Sequence, residues 1–303
     1  MKKTILYGMI AVASLVSPAL TSCLDNDTPD APSSFTATLK PDLNFTGVKD
    51  IPTGEWKSYP GGTVSYMYDF ENSTMQFGVS GMAIAQGENL SFSVPPIPLI
   101  LDKDGAWIAN HQGPFTVSGG GQTHVLTDLK TYIRLPQNAA SIVMTEFTID
   151  GEYLVRVFPN INYFGGKTRV ATGDGAPYTT DLTYYDLYLS QKTMTAELFA
   201  FQSKFAEAMP NYMNLVYPGL SFTLTDEGLS FSQKDVIPYS VTFNSQGKEE
   251  ENGRKPWPTF KLSEISGKMA VAGSMEFSCT RADGRGTTTF SGTPLVEVIS
   301  AKN

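Results

Sequence analysis

Only two histidines occur in this chain of 303 residues, His111 and His124, so a zinc centre built on three histidines is excluded. Neither belongs to an H-E-x-x-H pair or to a cysteine cluster. The segment Asp102-Lys103-Asp104-Gly105 opens like a calcium loop, but the third acidic ligand, the spacer before the glycine and the terminal glutamate are missing, and a hairpin turn accounts for it. Gly119-Gly120-Gly121 leads into neither Lys-Ser nor a helical pattern, which removes a phosphate cradle. Gly78-Val79-Ser80-Gly81-Met82 lacks the closing glycine of a nucleophile elbow and sits inside a strand pattern. The 30 acidic residues, scattered over a β scaffold, leave open the two facing carboxylates of a glycosidase, but no spacing locates such a pair. No catalytic residue, metal-ligand set or cofactor is therefore expected.

Aromatic residues are the richer signal. Tyr163, Phe164, Tyr178, Tyr184, Tyr185 and Tyr188 interleave with Asp174, Asp181, Asp186 and several glycines, and Trp107 precedes Asn110-His111-Gln112. Sugar rings present apolar C–H faces edged by hydroxyls, which such a mixture fits, and Trp107, Tyr178, Tyr184 and Tyr185 are the candidate ligand contacts. The same tyrosines also suit packing at a seam between modules, the commoner use of the residue. Trp257, between Pro256 and Pro258, reads as an anchor at a strand entry, and Lys248-Glu249-Glu250-Glu251-Asn252-Gly253-Arg254-Lys255 as a solvated loop tip.

The most specific chemistry lies at the N-terminus. Lys2-Lys3 precedes an apolar stretch from Ile5 to Val16, too short for a permanent membrane span, which ends in Leu20-Thr21-Ser22-Cys23. Those four residues resemble the lipobox cut by bacterial lipoprotein signal peptidase, which implies a leader over 1–22 and a Cys23 thiol carrying diacylglycerol as a thioether. Acyl chains at about 0.8 kcal/mol per buried methylene would then hold the chain on a membrane. Residues 23–34, acidic and proline-bearing, read as a flexible tether.

The Met-Lys-Lys start, the lipobox and the acids Asp25, Asp27 and Asp30 together resemble the outer-membrane lipoproteins of the Bacteroidetes lineage. That resemblance implies a lipid-anchored protein of the outer membrane facing the cell exterior. Its implied role is non-catalytic, a binding or structural accessory part with a glycan or an envelope protein as partner. The alternative is a glycan-active hydrolase or glycan-binding lipoprotein of a polysaccharide-utilisation system.

Charge agrees with an envelope role in one respect. The chain carries 22 basic and 30 acidic side chains, and losing Lys2 and Lys3 with the leader makes it more negative still, which argues against nucleic acid as a partner. With Cys23 lipidated, Cys279 has no intramolecular partner; it shares strand parity with Met275 and Phe277 and reads as a small core residue.

These groups need a scaffold, and period two dominates the chain. Val64, Tyr66, Tyr68 and Phe70; Met75, Phe77 and Val79; Leu90, Phe92 and Val94; and Val143, Thr145, Phe147 and Ile149 each alternate as half-buried strands do. Asp-Gly pairs at 104–105, 150–151, 174–175 and 283–284 mark tight turns. One segment departs: Met194, Leu198, Phe201, Phe205 and Met209 fall at helical spacing, with Thr193 or Thr195 as cap and Pro210 as terminator, and predict an amphipathic helix. The expected fold is mainly β, two antiparallel sheet modules of sandwich or barrel type with that helix between them. The modules span 35–165 and 215–303, with a tyrosine-rich connecting segment and the helix over 166–214. A weak echo between Thr127-Asp128-Leu129 with Met144-Thr145-Glu146-Phe147 and Ser263-Glu264-Ile265 with Met275-Glu276-Phe277 suggests related modules.

Overall fold

The computed structural model describes residues 34–69, 71–85, 87–101, 107–119, 121–134, 141–173, 177–204, 211–245 and 249–295. The leader, Cys23, most of the tether, the 104–105 and 174–175 turns, Phe205 and Met209 lie outside them. The chain is nearly all antiparallel strand and divides into two compact units at Pro159 and Asn160.

In the N-terminal unit twelve strands form one sheet. Its two long strands, Thr74–Ala85 and Gln122–Arg134, are bridged twice, once through Glu88–Ser93 and Phe115–Gly119 and again through Ile97–Leu101 and Trp107–His111. A bulge makes the second bridge possible. Asp128 takes a φ of 53°, pairing with Ser141–Ile149 slips between Thr127 and Lys130, and the opposite edge changes partner from Phe115–Gly119 to Trp107–His111. The alternating residues read from sequence point inward: Val64, Tyr66, Tyr68, Met75, Phe77, Leu90, Phe147 and Ile149 are all buried. Phe77 lies 5.9 Å from Phe147, and the Tyr66 hydroxyl meets Thr145 Oγ1 at 3.0 Å, so the one polar atom that this large ring brings inside is satisfied.

The C-terminal unit closes into an eight-stranded barrel. Around it run Thr195–Ser203, Tyr184–Ser190, Ile161–Thr172, Gly286–Pro294, Met275–Arg281, Leu262–Ala270, Gly228–Val236 and Met213–Thr225, which pairs back onto Thr195–Ser203. Residues 166–214 thus supply barrel strands. A barrel of this size is just wide enough for side chains to fill. Tyr185 sits 4.9 Å from Phe277 and 4.5 Å from Phe290, with its hydroxyl 3.1 Å from Thr168 Oγ1. Cys279 is buried beside Met275 and Phe277 on the inward face, and desolvation pushes its thiol up to about 12.

No helix forms among the described residues of the stretch predicted to hold one. Thr195–Ser203 is a strand, and Leu198 and Phe201 lie on opposite faces of it. Ala196, Leu198 and Ala200 face the interior, whereas Phe199 and Phe201 join Val216 and Val241 in a separate cluster. Because both faces are buried, Leu198-Phe199-Ala200-Phe201 reads as an unbroken apolar run without period two, and helical spacing matches it by coincidence. A second irregularity follows in Met213–Thr225. Gly219, at a φ of 70°, permits a bulge that moves the inward parity from Leu215 and Tyr217 to Leu220, Phe222 and Leu224.

The two ends of the barrel differ. One carries the tight connections 191–194, 226–227 and 271–274, and the other carries the long ones, 173–183, 204–212 and 237–261. Binding residues sit disproportionately on long loops held by a rigid scaffold.

Candidate functional site: an aromatic face around a buried acid

Alternation along Tyr184–Ser190 divides the predicted tyrosines. Tyr185 points inward, where it is 1% exposed, while Tyr184, Asp186 and Tyr188 occupy the outer face. Register places these against the neighbouring strands as Tyr163–Asp186–Phe199–Val216, with Tyr184 opposite Phe201 and Tyr188 opposite Glu197. Tyr184 stacks on Phe201 at 4.7 Å with ring planes 8° apart, and Tyr188 meets Phe199 at 5.0 Å. Three strands of the barrel wall therefore present rings around one acid.

A strap formed by 237–257 lies over part of this face. Tyr239–Ser240 pairs with Leu215–Val216, Lys255–Pro256 pairs back on Tyr239–Ser240, and a bridge joins Phe243 to Glu249. Val241 and Phe243 pack on the cluster, with Phe243 5.5 Å from Phe201. Arg254 fastens the strap. Its two terminal nitrogens fork onto Glu197 at 2.7 and 2.9 Å, its Nε reaches Glu249 at 2.6 Å, and its guanidinium carbon lies 5.5 Å from the centre of the Phe199 ring. Such a bidentate charge-assisted pair fixes geometry as well as adding energy. The strap tip predicted to be solvated thus includes one arginine that is two-thirds covered.

Asp186 is the anomaly of the face. It is 1% exposed, and neither carboxylate oxygen has a hydrogen-bond partner among the described residues. Desolvation holds its carboxyl well above the ordinary carboxylate range, so it keeps its proton more firmly than an exposed aspartate does. Burial raises the Tyr188 hydroxyl in the same direction, helped by the negative potential of Asp186, Tyr163, Glu197 and Glu249.

The remaining predicted contacts lie elsewhere. Tyr178 is half-buried and donates its hydroxyl to the carbonyl of Lys204 at 2.7 Å, at the long-loop end of the barrel. Trp107 belongs to the other unit, where its backbone pairs with Ile133 and Leu101. His111 stacks on Phe115 at 4.4 Å. His124 is buried, with Nδ1 2.8 Å from Asp150 and Nε2 3.4 Å from Glu88; the bond to Asp150 raises its pKa above 6.5. Nothing in the spacing of Asp186, Glu197 and Arg254 joined them beforehand; the alternation Tyr184-Asp186-Tyr188 was the readable part. Trp257 stacks on Phe260 at 4.8 Å, and the Arg281 guanidinium carbon lies 4.8 Å from the centre of the Phe260 ring.

No family model matches the chain, and no curated protein matches it. Overlaps with solved structures were found. A transferrin binding protein B double mutant from Haemophilus parasuis Hp5 shares 9% identity at a TM-score of 0.25, covering 88% of this chain and 76% of that one. The intact Ap-TbpB structure with N and C lobes shares 10% at 0.25, covering 84% and 77%, and the isotype 1 protein from serogroup B Neisseria meningitidis shares 9% at 0.24, covering 78% and 66%. Overlaps of that extent identify neither a family nor a partner for this chain.

Proposed function

We propose that this chain is a lipid-anchored, non-catalytic binding protein of the bacterial outer membrane, facing the cell exterior and capturing a glycan or an envelope protein on the barrel. Cys23, behind Leu20-Thr21-Ser22, supplies the anchor, and the acidic stretch after it supplies reach. The observation that carries the binding role is the outer aromatic face, where rings of three strands and the strap surround an acid that has no hydrogen-bond partner among the described residues. Reactive groups elsewhere have structural partners: His124 is held by two carboxylates, and Cys279 is sealed in the barrel.

Two measurements test the reading. Cys23→Ser should abolish fatty-acid labelling and leave an unprocessed precursor, while the parent chain should be cut by protease added to intact cells; normal maturation of the variant sinks the anchor. A glycan panel and an outer-membrane protein panel, offered to residues 34–303, should yield a ligand whose binding falls in Tyr184→Ala. Release of sugar from the panel would overturn the non-catalytic assignment.

A further inference from the structure

The barrel's outer face already displays how it treats a cation. Arg254 is held by one carboxylate and one ring of the barrel wall, Glu197 and Phe199, and Glu249 of its own strap completes the clamp. One register position along the same face, the same pair of elements recurs. Asp186 is opposite Phe199 and flanked by Tyr184 and Tyr188, with Tyr163 on its other side. Here the carboxylate has no cation and no hydrogen-bond donor among the described residues. We infer that Asp186, with Tyr184, Tyr188 and Phe199, forms a binding site for an organic cation, an ammonium or guanidinium group that enters from the half-buried tyrosine side and takes beside Asp186 the place that Arg254 takes beside Glu197.

Three physical points support the assignment. A buried acid without a donor has lost its water without replacement, so the fold carries Asp186 at a cost that a bound N–H group would offset. Aromatic faces attract cations through their quadrupoles, most strongly where water is excluded. Finally, the charge on this patch is unbalanced: Glu197 and Glu249 share the guanidinium of Arg254, and no cation meets Asp186 among the described residues. A neutral glycan hydroxyl would satisfy one oxygen of Asp186 but would leave that imbalance in place.

The inference deepens the proposed binding role and rests on the barrel face being the binding face. The titratable groups on that face include Asp186, Tyr163, Tyr184, Tyr188, Tyr239, Glu197, Glu249 and Arg254, and a cation arriving beside Asp186 favours its ionised form. Any proton that Asp186 carries passes to the buffer as the ion pair forms. Calorimetric titration of the purified full chain at pH 7 should be run with spermidine and with the capped peptide Gly-Lys-Arg-Gly, each in two buffers of different ionisation enthalpy. The expected result is saturable 1:1 binding of at least one probe, and affinity weakened by about tenfold or more in Asp186→Asn, equivalent to at least 1.4 kcal/mol, with any proton release seen in the parent chain absent from that variant. Binding of spermidine alone identifies a free amine as the source, and binding of the peptide alone identifies a basic polypeptide. If Asp186→Asn fails to fold, Tyr184→Leu replaces it and should weaken binding severalfold. No saturable binding of either probe, or binding indifferent to both variants, overturns the site. A glycan or protein ligand lost in Tyr184→Leu but retained in Asp186→Asn would overturn the cation while leaving the binding face standing.

Discussion

Both units bury ionisable side chains, and they handle them in opposite ways. In the N-terminal unit, Arg156 is 3% exposed but meets Glu146 at 3.0 Å and lies over the Trp56 ring, and His124 sits between Asp150 and Glu88. In the barrel, Asp186 is equally buried and has no donor among the described residues. Desolvation is the same physical burden in all three cases; only the first two are compensated within the fold. The contrast separates polar burial compensated by neighbouring side chains from polar burial left without a donor among the described residues.

The largest effect expected belongs to the aromatic frame. Phe201 is 2% exposed and touches Tyr184, Phe199 and Phe243, so Phe201→Ala should destabilise the barrel by about 3–5 kcal/mol in a denaturant melt, through lost transfer energy and a cavity. A loss below about 1 kcal/mol would mean that the strap and wall barely pack. Removing a partner from the compensated side comes next. Glu146→Ala leaves the Arg156 charge buried and should cost about 3 kcal/mol in the N-terminal unit, without moving the barrel's transition.

The comparison turns on sign at the next step. Asp186→Val fits a strand and removes the uncompensated acid, so it should raise barrel stability by about 1–2 kcal/mol at pH 7. His124→Val breaks the contacts with Asp150 and Glu88 and should lower stability of the N-terminal unit. The same sign for both would erase the distinction.

Their pH windows differ as well. The folded pKa of Asp186 is raised above 3.8, so the native state holds a proton that the unfolded chain has released, and stability falls as pH rises above about 4. The contribution of His124, whose folded pKa is also raised, is complete below 6.5 and is lost as pH climbs through the higher folded value. Melts across pH 4–9 should therefore show a decline that sets in near pH 4 and is missing in Asp186→Val, and a further decline that sets in near 6.5 and is missing in His124→Val. The smallest effect is a null. Arg254→Gln should loosen the strap but leave labelling of Cys279 slow, because the thiol lies inside the barrel, and rapid labelling would show that the strap guards the interior.

Sequence reading recovered what depends on one exposed face and missed what depends on two buried ones. Val64, Tyr66 and Tyr68 alternate with residues at least partly exposed, so their pattern survives in the sequence, and the φ values of Asp150 and Gly151, 53° and 70°, are those an Asp-Gly turn predicts. Thr195–Ser203 gives no such contrast, since one face fills the barrel and the other lies under the strap. The site suffered from the same cause. Tyr184 and Tyr185 look like one aromatic pair, but they occupy opposite sides of the wall, and the acid between Tyr184 and Tyr188 gains its character only from strands that arrive from distant parts of the sequence.

Barrel closure also orders events in time. Ile161–Thr172 pairs with Gly286–Pro294, from Phe164 opposite Pro294 to Thr172 opposite Gly286, so the unit's opening strand waits for its closing one. A chain emerging N-terminus first from a ribosome or a translocation pore can finish the N-terminal sheet while the other unit is still unseamed. Until the final strand appears, Ile161–Thr172 and Met275–Arg281 each present a bare edge, the template on which unfinished chains recruit one another. A nascent chain stalled just short of Gly286 would accordingly accumulate as oligomers, with its N-terminal sheet complete.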